Sequence, residues 1–164
     1  MDLDTTDHAI LRWLQEDGRI TNAELSDRVN LSASACLRRV RGLEEAGVID
    51  RYVALLDPAT IGRPTTVFVE ITLESQEEHH LDEFEAAVVQ HPAVRSAHLM
   101  AGNADYLVKV VCEDVAHYEQ LHRTHLAVLP HVARIRSSFA LRTICDRTAY
   151  ELRAAIERDR SVAR

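Results

Sequence analysis

LSASACLRRVRGLEEAGVI, residues 31–49, reads as one helix with a start, a buried stripe, an outward basic face and a stop. Ser32 is a good N-cap, because its hydroxyl can accept from the free amides of the first turn. At about 100° per residue, Cys36, Val40 and Leu43 fall on one side, while Ser34, Arg38 and Arg41 lie almost opposite. Arg39 sits on the flank nearer the buried stripe. Gly47 stands where a left-handed residue ends a helix. Between Arg28 and Arg41 there are four arginines and no acid, in a chain of formal charge -7. That local reversal of charge suits a polyanion.

Working outward, Ala9, Ile10, Trp13 and Leu14 recur at helical spacing across residues 6–16, and Asp17-Gly18 closes that helix. Thr21 to Glu24 is a T-x-x-E capping box opening a short helix with Leu25 and Val29 facing in. A break at Asn30-Leu31 leads to Ser32. Three helices with a tight turn before a basic third helix predict a helix-turn-helix. In that setting Arg38 and Arg41 are placed to reach guanine edges or phosphates, and Ser34 a base or phosphate. Ser32, at the helix start, suits a phosphate. Thr21 and Arg28 are candidates to grip the flanking backbone. Arg39 is a further candidate, with a salt bridge or backbone clamp as its alternative. One such helix buries too little to be highly selective, so two copies related by a dyad are expected to read half-sites about one helical turn apart.

The 164 residues suffice for one sizeable domain or two small ones. No apolar run approaches the ~18 residues of a membrane span, and the start, MDLDTTDH, is acidic rather than signal-like. A cytoplasmic protein with no membrane partner is expected. Cys36, Cys112 and Cys145 share no short spacing, so buried free thiols are expected rather than a disulfide framework or zinc site. The overall acidity argues against nonspecific nucleic-acid coating but leaves room for a focused basic patch.

After Gly47, VIDRYVALLDP (48–58) alternates enough to predict a strand, and PATIGRP (58–64) predicts a hinge. The second half has another rhythm. TTVFVEITL (65–73) puts Val67, Val69, Ile71 and Leu73 on one strand face, and Phe68, Glu70 and Thr72 on the other. Residues 77–90 carry Leu81, Phe84 and Val88 on one helical side. Strands follow at 94–101 and 106–112, joined by a turn at Gly102-Asn103-Ala104-Asp105. Asp114 can cap a helix bearing Val115, Tyr118, Leu121 and Leu126, and 132–144 predicts a fourth strand. This βαββαβ order is that of a ferredoxin-like unit, whose helices cover only one sheet face. The other face is expected to find a partner, hence a homodimer. Residues 146–164 read as an extra amphipathic helix or as a tail fraying after Glu157.

The strings LQEDGRITNAELSDRVNLSASACLRRVRGLEEAGVI, YVALLDPATIG, AGNADYLVKV and SSFAL resemble the Lrp/AsnC (feast/famine) transcription regulators, in order and at matching distances from Leu3 to Ile144. The resemblance implies an α+β chain with an N-terminal winged helix-turn-helix reader (1–50), a linker (51–64), a ferredoxin-like effector and assembly domain (65–145) and an extension (146–164). It further implies a double-stranded DNA operator, an amino acid or related metabolite as effector, no cofactor, and dimers building tetramers or octamers. The matching AGNADYL loop in this family lines an effector pocket between subunits. Gly102 would then let a ligand approach backbone amides that can hold a carboxylate, with Asn103 beside it in the same site. Asp105 would pair with an ammonium, Tyr106 would supply an aromatic wall, and Met100 and Leu107 would shape the side-chain pocket. Ser137 and Ser138 are weaker candidates. Without the resemblance, the same loop is ordinary hairpin chemistry.

His122 and His125 share a helix face and His79-His80 are adjacent, but no fixed Cys or carboxylate set joins them, so solvated surface is expected and no metal. An enzyme is the second class considered, since ferredoxin-like domains pair into small catalytic barrels. No nucleophile–base pair, metal set or phosphate loop is found. A third class, a DNA-organising protein without ligand control, would differ in ignoring every amino acid.

Overall fold

The computed structural model describes residues 2–152. The chain divides into two compact units. One holds the residues up to Leu55 together with the stretch from Cys145, and the other spans Leu56–Ile144.

The first unit contains α1 (Thr5–Glu16), α2 (Asn22–Arg28) and α3 (Ala33–Glu45). Each start is capped by its own sequence. Asp4 and Asp7 exchange hydrogen bonds around the first turn of α1, with Asp7 N–H donating to Asp4 at 2.8 Å and Asp4 N–H donating to Asp7 at 3.1 Å. The predicted Thr21–Glu24 box is present in both directions. Ser32 accepts from the Ala35 amide at 3.3 Å. Asn30 takes a left-handed φ of 54° in the turn before Ser32. At the far end Gly47 has φ 68°, and the Val48 amide reaches back to the Leu43 carbonyl at 2.9 Å. This closes the helix in a Schellman arrangement. Ile10, Leu11, Leu25, Cys36 and Leu43 form the buried centre, with Trp13, Val29, Val40 and Ile49 packed around it.

The strand predicted across 48–58 does not form; residues 51–57 carry no ladder. Alternation selects which side a residue faces, but a strand also needs a neighbour to bond to, and none of the described residues supplies one here. Tyr52 instead donates to Glu44 at 3.1 Å, while Val53, Leu55 and Leu56 remain exposed. The predicted hinge at 58–64 holds a turn in which Asp57 accepts from the Thr60 amide at 2.7 Å.

The second unit has the predicted order: β1 (Thr65–Leu73), α4 (Glu78–Val88), β2 (Val94–Leu99), β3 (Tyr106–Cys112), α5 (Val115–Thr124) and β4 (Val132–Phe139). The sheet runs β2-β3-β1-β4 and is antiparallel throughout. Val67, Val69 and Ile71 of β1 and Val108 and Val110 of β3 pack with Phe84, Val88, Tyr118 and Leu121 on the helix-covered face. The opposite face carries Phe68, Glu70, Thr72, Leu107 and Lys109, with Arg134, Arg136 and Ser138 from β4. Phe68 keeps 39% of its surface exposed there.

Two strands are shorter than predicted because their partners run out. β4 ends at Phe139, paired with Val67, and Ala140 makes one last bond to Thr66 next to the start of β1. Leu141 is 99% exposed. β2 ends at Leu99 opposite Tyr106, where β3 begins. Leu126 lies not in α5 but in a short 3-10 turn, and Val115 is exposed. Cys36 and Cys112 are buried thiols as expected, whereas Cys145 is exposed. Of the extension, residues 146–152 form no helix. Tyr150 and the Gln15 side chain exchange two hydrogen bonds, and Leu152 joins the apolar cluster around α1. The remainder of the predicted helix or tail lies outside the described residues.

Candidate nucleic-acid interface and ligand cavity

The outward face of α3 is built as its spacing predicts. Ser34, Arg38 and Arg41 are exposed, opposite buried Cys36 and Leu43. Neither Arg38 nor Arg41 has an acidic partner among the described residues. The Asn22 side chain donates through Nδ2 to the Ala33 carbonyl at 2.9 Å, tying the start of α2 to the start of α3. Ser32 and Ser34 hydroxyls lie 3.3 Å apart at that helix start, where unpaired amides and the helix dipole favour an anion.

The other candidates in this unit serve the fold first. Arg39 Nη1 donates to Asp4 at 2.8 Å and to Asp7 at 2.8 Å, clamping the start of α1 onto α3. The salt-bridge alternative for Arg39 is the one realised. Thr21 donates its hydroxyl to Glu24 at 2.8 Å while accepting from the Glu24 amide, so both its functions are engaged in the cap. That hydroxyl holds the Glu24 carboxyl below its ordinary range. Arg28 stands 4.2 Å over the Trp13 ring, a cation–π contact that fixes the guanidinium while leaving it exposed.

The Arg39 clamp carries a prediction. Asp7 is nearly buried, so losing its cation leaves a carboxylate poorly paired, but Arg39 keeps 34% of its own surface in water. Arg39→Ala is therefore expected to destabilise the helical unit by about 1 kcal/mol, visible as a lower urea midpoint at pH 7. The Asp7 amide, with help from Arg39, holds the Asp4 carboxyl below its ordinary 3.8. A depressed folded value adds stability above 3.8 and loses it as pH falls through the lower value. The wild-type advantage over Asp4→Asn should shrink on titration from pH 5 towards about pH 2.

The second site is a cavity of about 740 Å³ on the uncovered face of the sheet. Glu70 and Thr72 of β1, Leu107 of β3, Arg134 and Arg136 of β4 and the loop 100–104 form its walls. Met100, Gly102, Asn103 and Leu107 thus stand where the sequence places a ligand. Asp105 does not, and Tyr106 stands at the wall with its ring turned away. Asp105 is 6% exposed and is absent from the wall. Its carboxylate accepts from the Leu73 amide at 2.8 Å and from Gln76 at 2.5 Å, so it fastens the hairpin to β1. Tyr106 borders the cavity, but its ring lies 4.5 Å from Phe84 on the helix side and its hydroxyl donates to Glu85 at 2.8 Å. Burial pushes that phenol well above its usual range. Of the weaker candidates, Ser137 points to the helix side, its hydroxyl 2.5 Å from that of Tyr118. Ser138 is on the open face opposite Phe68, outside the cavity wall.

A family model for the Lrp/AsnC ligand binding domain matches residues 66–150, and one for a winged helix-turn-helix DNA-binding domain matches residues 3–50. The chain belongs to the Lrp/AsnC family. As a member it is a DNA-binding transcriptional regulator with a ligand-binding domain. Among its Lrp/AsnC relatives, the leucine-responsive regulatory protein of Rhizobium meliloti is 40% identical over 93% of this chain and 97% of its own length. The Bkd operon transcriptional regulator of Pseudomonas aeruginosa is 41% identical over 90% of this chain and 97% of its own. A Neisseria meningitidis transcriptional regulator solved in complex with L-Met superposes with TM-score 0.87 at 36% identity, covering 92% of this chain and 97% of that one. An AsnC family regulator from Agrobacterium tumefaciens gives TM-score 0.87 at 38% identity, covering 91% and 97%.

Within this Lrp/AsnC chain the sequence reading missed Glu70, Thr72, Arg134 and Arg136 as cavity residues. Each is an outward position of a strand, but only the β1–β4 register, with Glu70 opposite Arg136 and Thr72 opposite Arg134, brings them together. The histidines lie elsewhere. His125 ends α5 against His91, ring centres 4.1 Å apart, and His131 pairs with Glu83 at 2.8 Å. Burial, then His125 and His117, lower the His91 value. No group of three or more His, Cys, Asp or Glu among the described residues is disposed to hold a metal ion.

Proposed function

We propose that this regulator reads a specific duplex operator through α3 of paired copies, and that an amino acid or related small metabolite in the 100–104 cavity shifts its operator affinity and assembly. The carrying observation is the outward face of α3, where Arg38 and Arg41 are exposed with no acidic partner among the described residues, in a chain of net charge -7. Residues 1–50 act as reader, 51–64 as linker, 65–145 as effector and assembly domain, and 146–164 as an extension. Phe68, exposed on the uncovered sheet face that also carries Leu107, supports pairing into homodimers that build tetramers or octamers, since apolar side chains left in water favour association. Work on a chromosomal operator belongs to the cytoplasm, and among the described residues no helix is long and apolar enough to cross a membrane. The named relatives are regulators, and we assign no catalysis to this one.

Effector binding would act by linkage, each ligand state favouring its own assembly and its own operator affinity. The loop offers a clean test. Gly102 belongs to the cavity wall and a Cβ there would meet no atom within 4 Å, so a larger side chain can be placed at the wall without straining the fold. Gly102→Val is expected to keep its unliganded melting midpoint and to weaken the amino-acid response at least about tenfold by filling the site. Thermal-shift titration with the common amino acids measures both. A variant that responds like wild type would remove the loop from the effector site.

A further inference from the structure

We infer that the cavity selects an acidic amino acid, a ligand with one ammonium and two carboxylates; this rests on the effector reading above and narrows its ligand class. The charged groups of the wall are the guanidiniums of Arg134 and Arg136 and the carboxylate of Glu70. They leave one positive charge over. A neutral zwitterion cannot offset that charge, a basic amino acid adds to it, and a plain dicarboxylate overshoots it. An acidic amino acid, with net charge -1 at neutral pH, matches it.

The placement agrees with the count. Arg136 Nη1 lies 3.9 Å from Glu70, its register partner across the ladder, so that guanidinium already faces a carboxylate. Arg134 faces Thr72 instead, a neutral hydroxyl, and has no acidic partner among the described residues. The two arginines stand two residues apart on β4, about 7 Å along one face of the strand. That is a span two carboxylates of one small ligand can bridge, with one of them held by charge-assisted bonds from Arg134. Glu70, between them and the loop, is the acceptor for the ammonium. Leu107 and Met100, also in the wall, suit the short methylene stem.

The test is calorimetric titration of the full chain with glutamate, aspartate, glutamine, asparagine, leucine and methionine, repeated on Arg134→Gln and Arg134→Lys. The amides keep the shape of the acids and remove only the charge. The expected result is that one acid binds at least about tenfold more tightly than its amide, since the amide leaves a cation uncompensated. Arg134→Gln abolishes that preference and Arg134→Lys retains part of it. Arg134 is exposed and has no acidic partner among the described residues, so unchanged melting midpoints are expected for both variants. Neutral or apolar amino acids binding as tightly as the acids would overturn the acidic class while leaving the effector site standing. A preference that survives Arg134→Gln would overturn it as well. If none of the six binds wild type, the acidic class falls, and the effector reading falls only if the remaining common amino acids also fail to bind.

Discussion

Arg38→Ala combined with Arg41→Ala is expected to abolish specific operator binding, lowering affinity at least about a thousandfold, from 1–3 kcal/mol per lost arginine contact in each of two copies. The fold should survive. Both side chains are exposed on α3 and neither has an acidic partner among the described residues, so their loss leaves no buried charge behind. Far-UV circular dichroism and the melting midpoint should match wild type, while fluorescence anisotropy on operator DNA shows the loss. The salt dependence gives a second readout. If either arginine contacts a phosphate, the slope of log affinity against log salt should fall by about 0.9 for each contact removed. Arg39→Ala serves as the contrast, because its guanidinium is held by Asp4 and Asp7. Its principal effect should be on stability, with operator affinity of the folded fraction reduced far less.

The second large effect concerns Asp105, and it reverses the simplest reading of the loop. Asp105→Ala removes the acceptor for the Leu73 amide and for Gln76. The Leu73 amide lies where β1 ends, and water does not replace its partner easily. An unsatisfied buried donor and the loss of a charged hydrogen bond cost about 2–3 kcal/mol together. For a unit of this size that lowers the melting midpoint by about 10 °C or more. Ligand response, measured well below the new midpoint, should persist in the folded fraction. A side chain that gripped a ligand ammonium would behave the other way, with response lost and the unliganded midpoint unchanged. Asp105→Asn keeps one acceptor oxygen for Leu73 and should recover part of the stability.

These two cases show which parts of the molecule were legible in the chain. Ser32, Gly47 and the Thr21–Glu24 box are local devices, readable because the groups they satisfy lie within a turn of them. The face assignment of β1 was equally direct, since alternation is a property of one strand. The Asp4–Asp7 cap has the same spacing as the Thr21 box, but with Asp in place of Glu at its third position it lacks the usual signature. What could not be read depends on distant pairing. The stretch 48–58 has strand-like alternation and no ladder. β4 stops at Phe139 because β1 offers no further partner, although residues 140–144 continue in apolar style. Asp105 reads as a ligand group only because the resemblance places its loop in an effector pocket. It turns inward because β1 presents a free amide beside it. Arg134 and Arg136 form a cavity wall only through the β1–β4 register.

The most direct test of the central claim is operator affinity measured with and without ligand. Full-length protein would be used to select duplexes from a random-sequence library. Anisotropy would then compare the selected DNA with a scrambled duplex, in the presence and absence of each common amino acid at fixed salt. The account predicts binding to the selected sequence about a thousandfold or more tighter than to the scramble. It also predicts a severalfold shift in that affinity with one class of amino acid, the range expected of coupled sites. Equal affinity for both duplexes, unchanged by every amino acid, would contradict it.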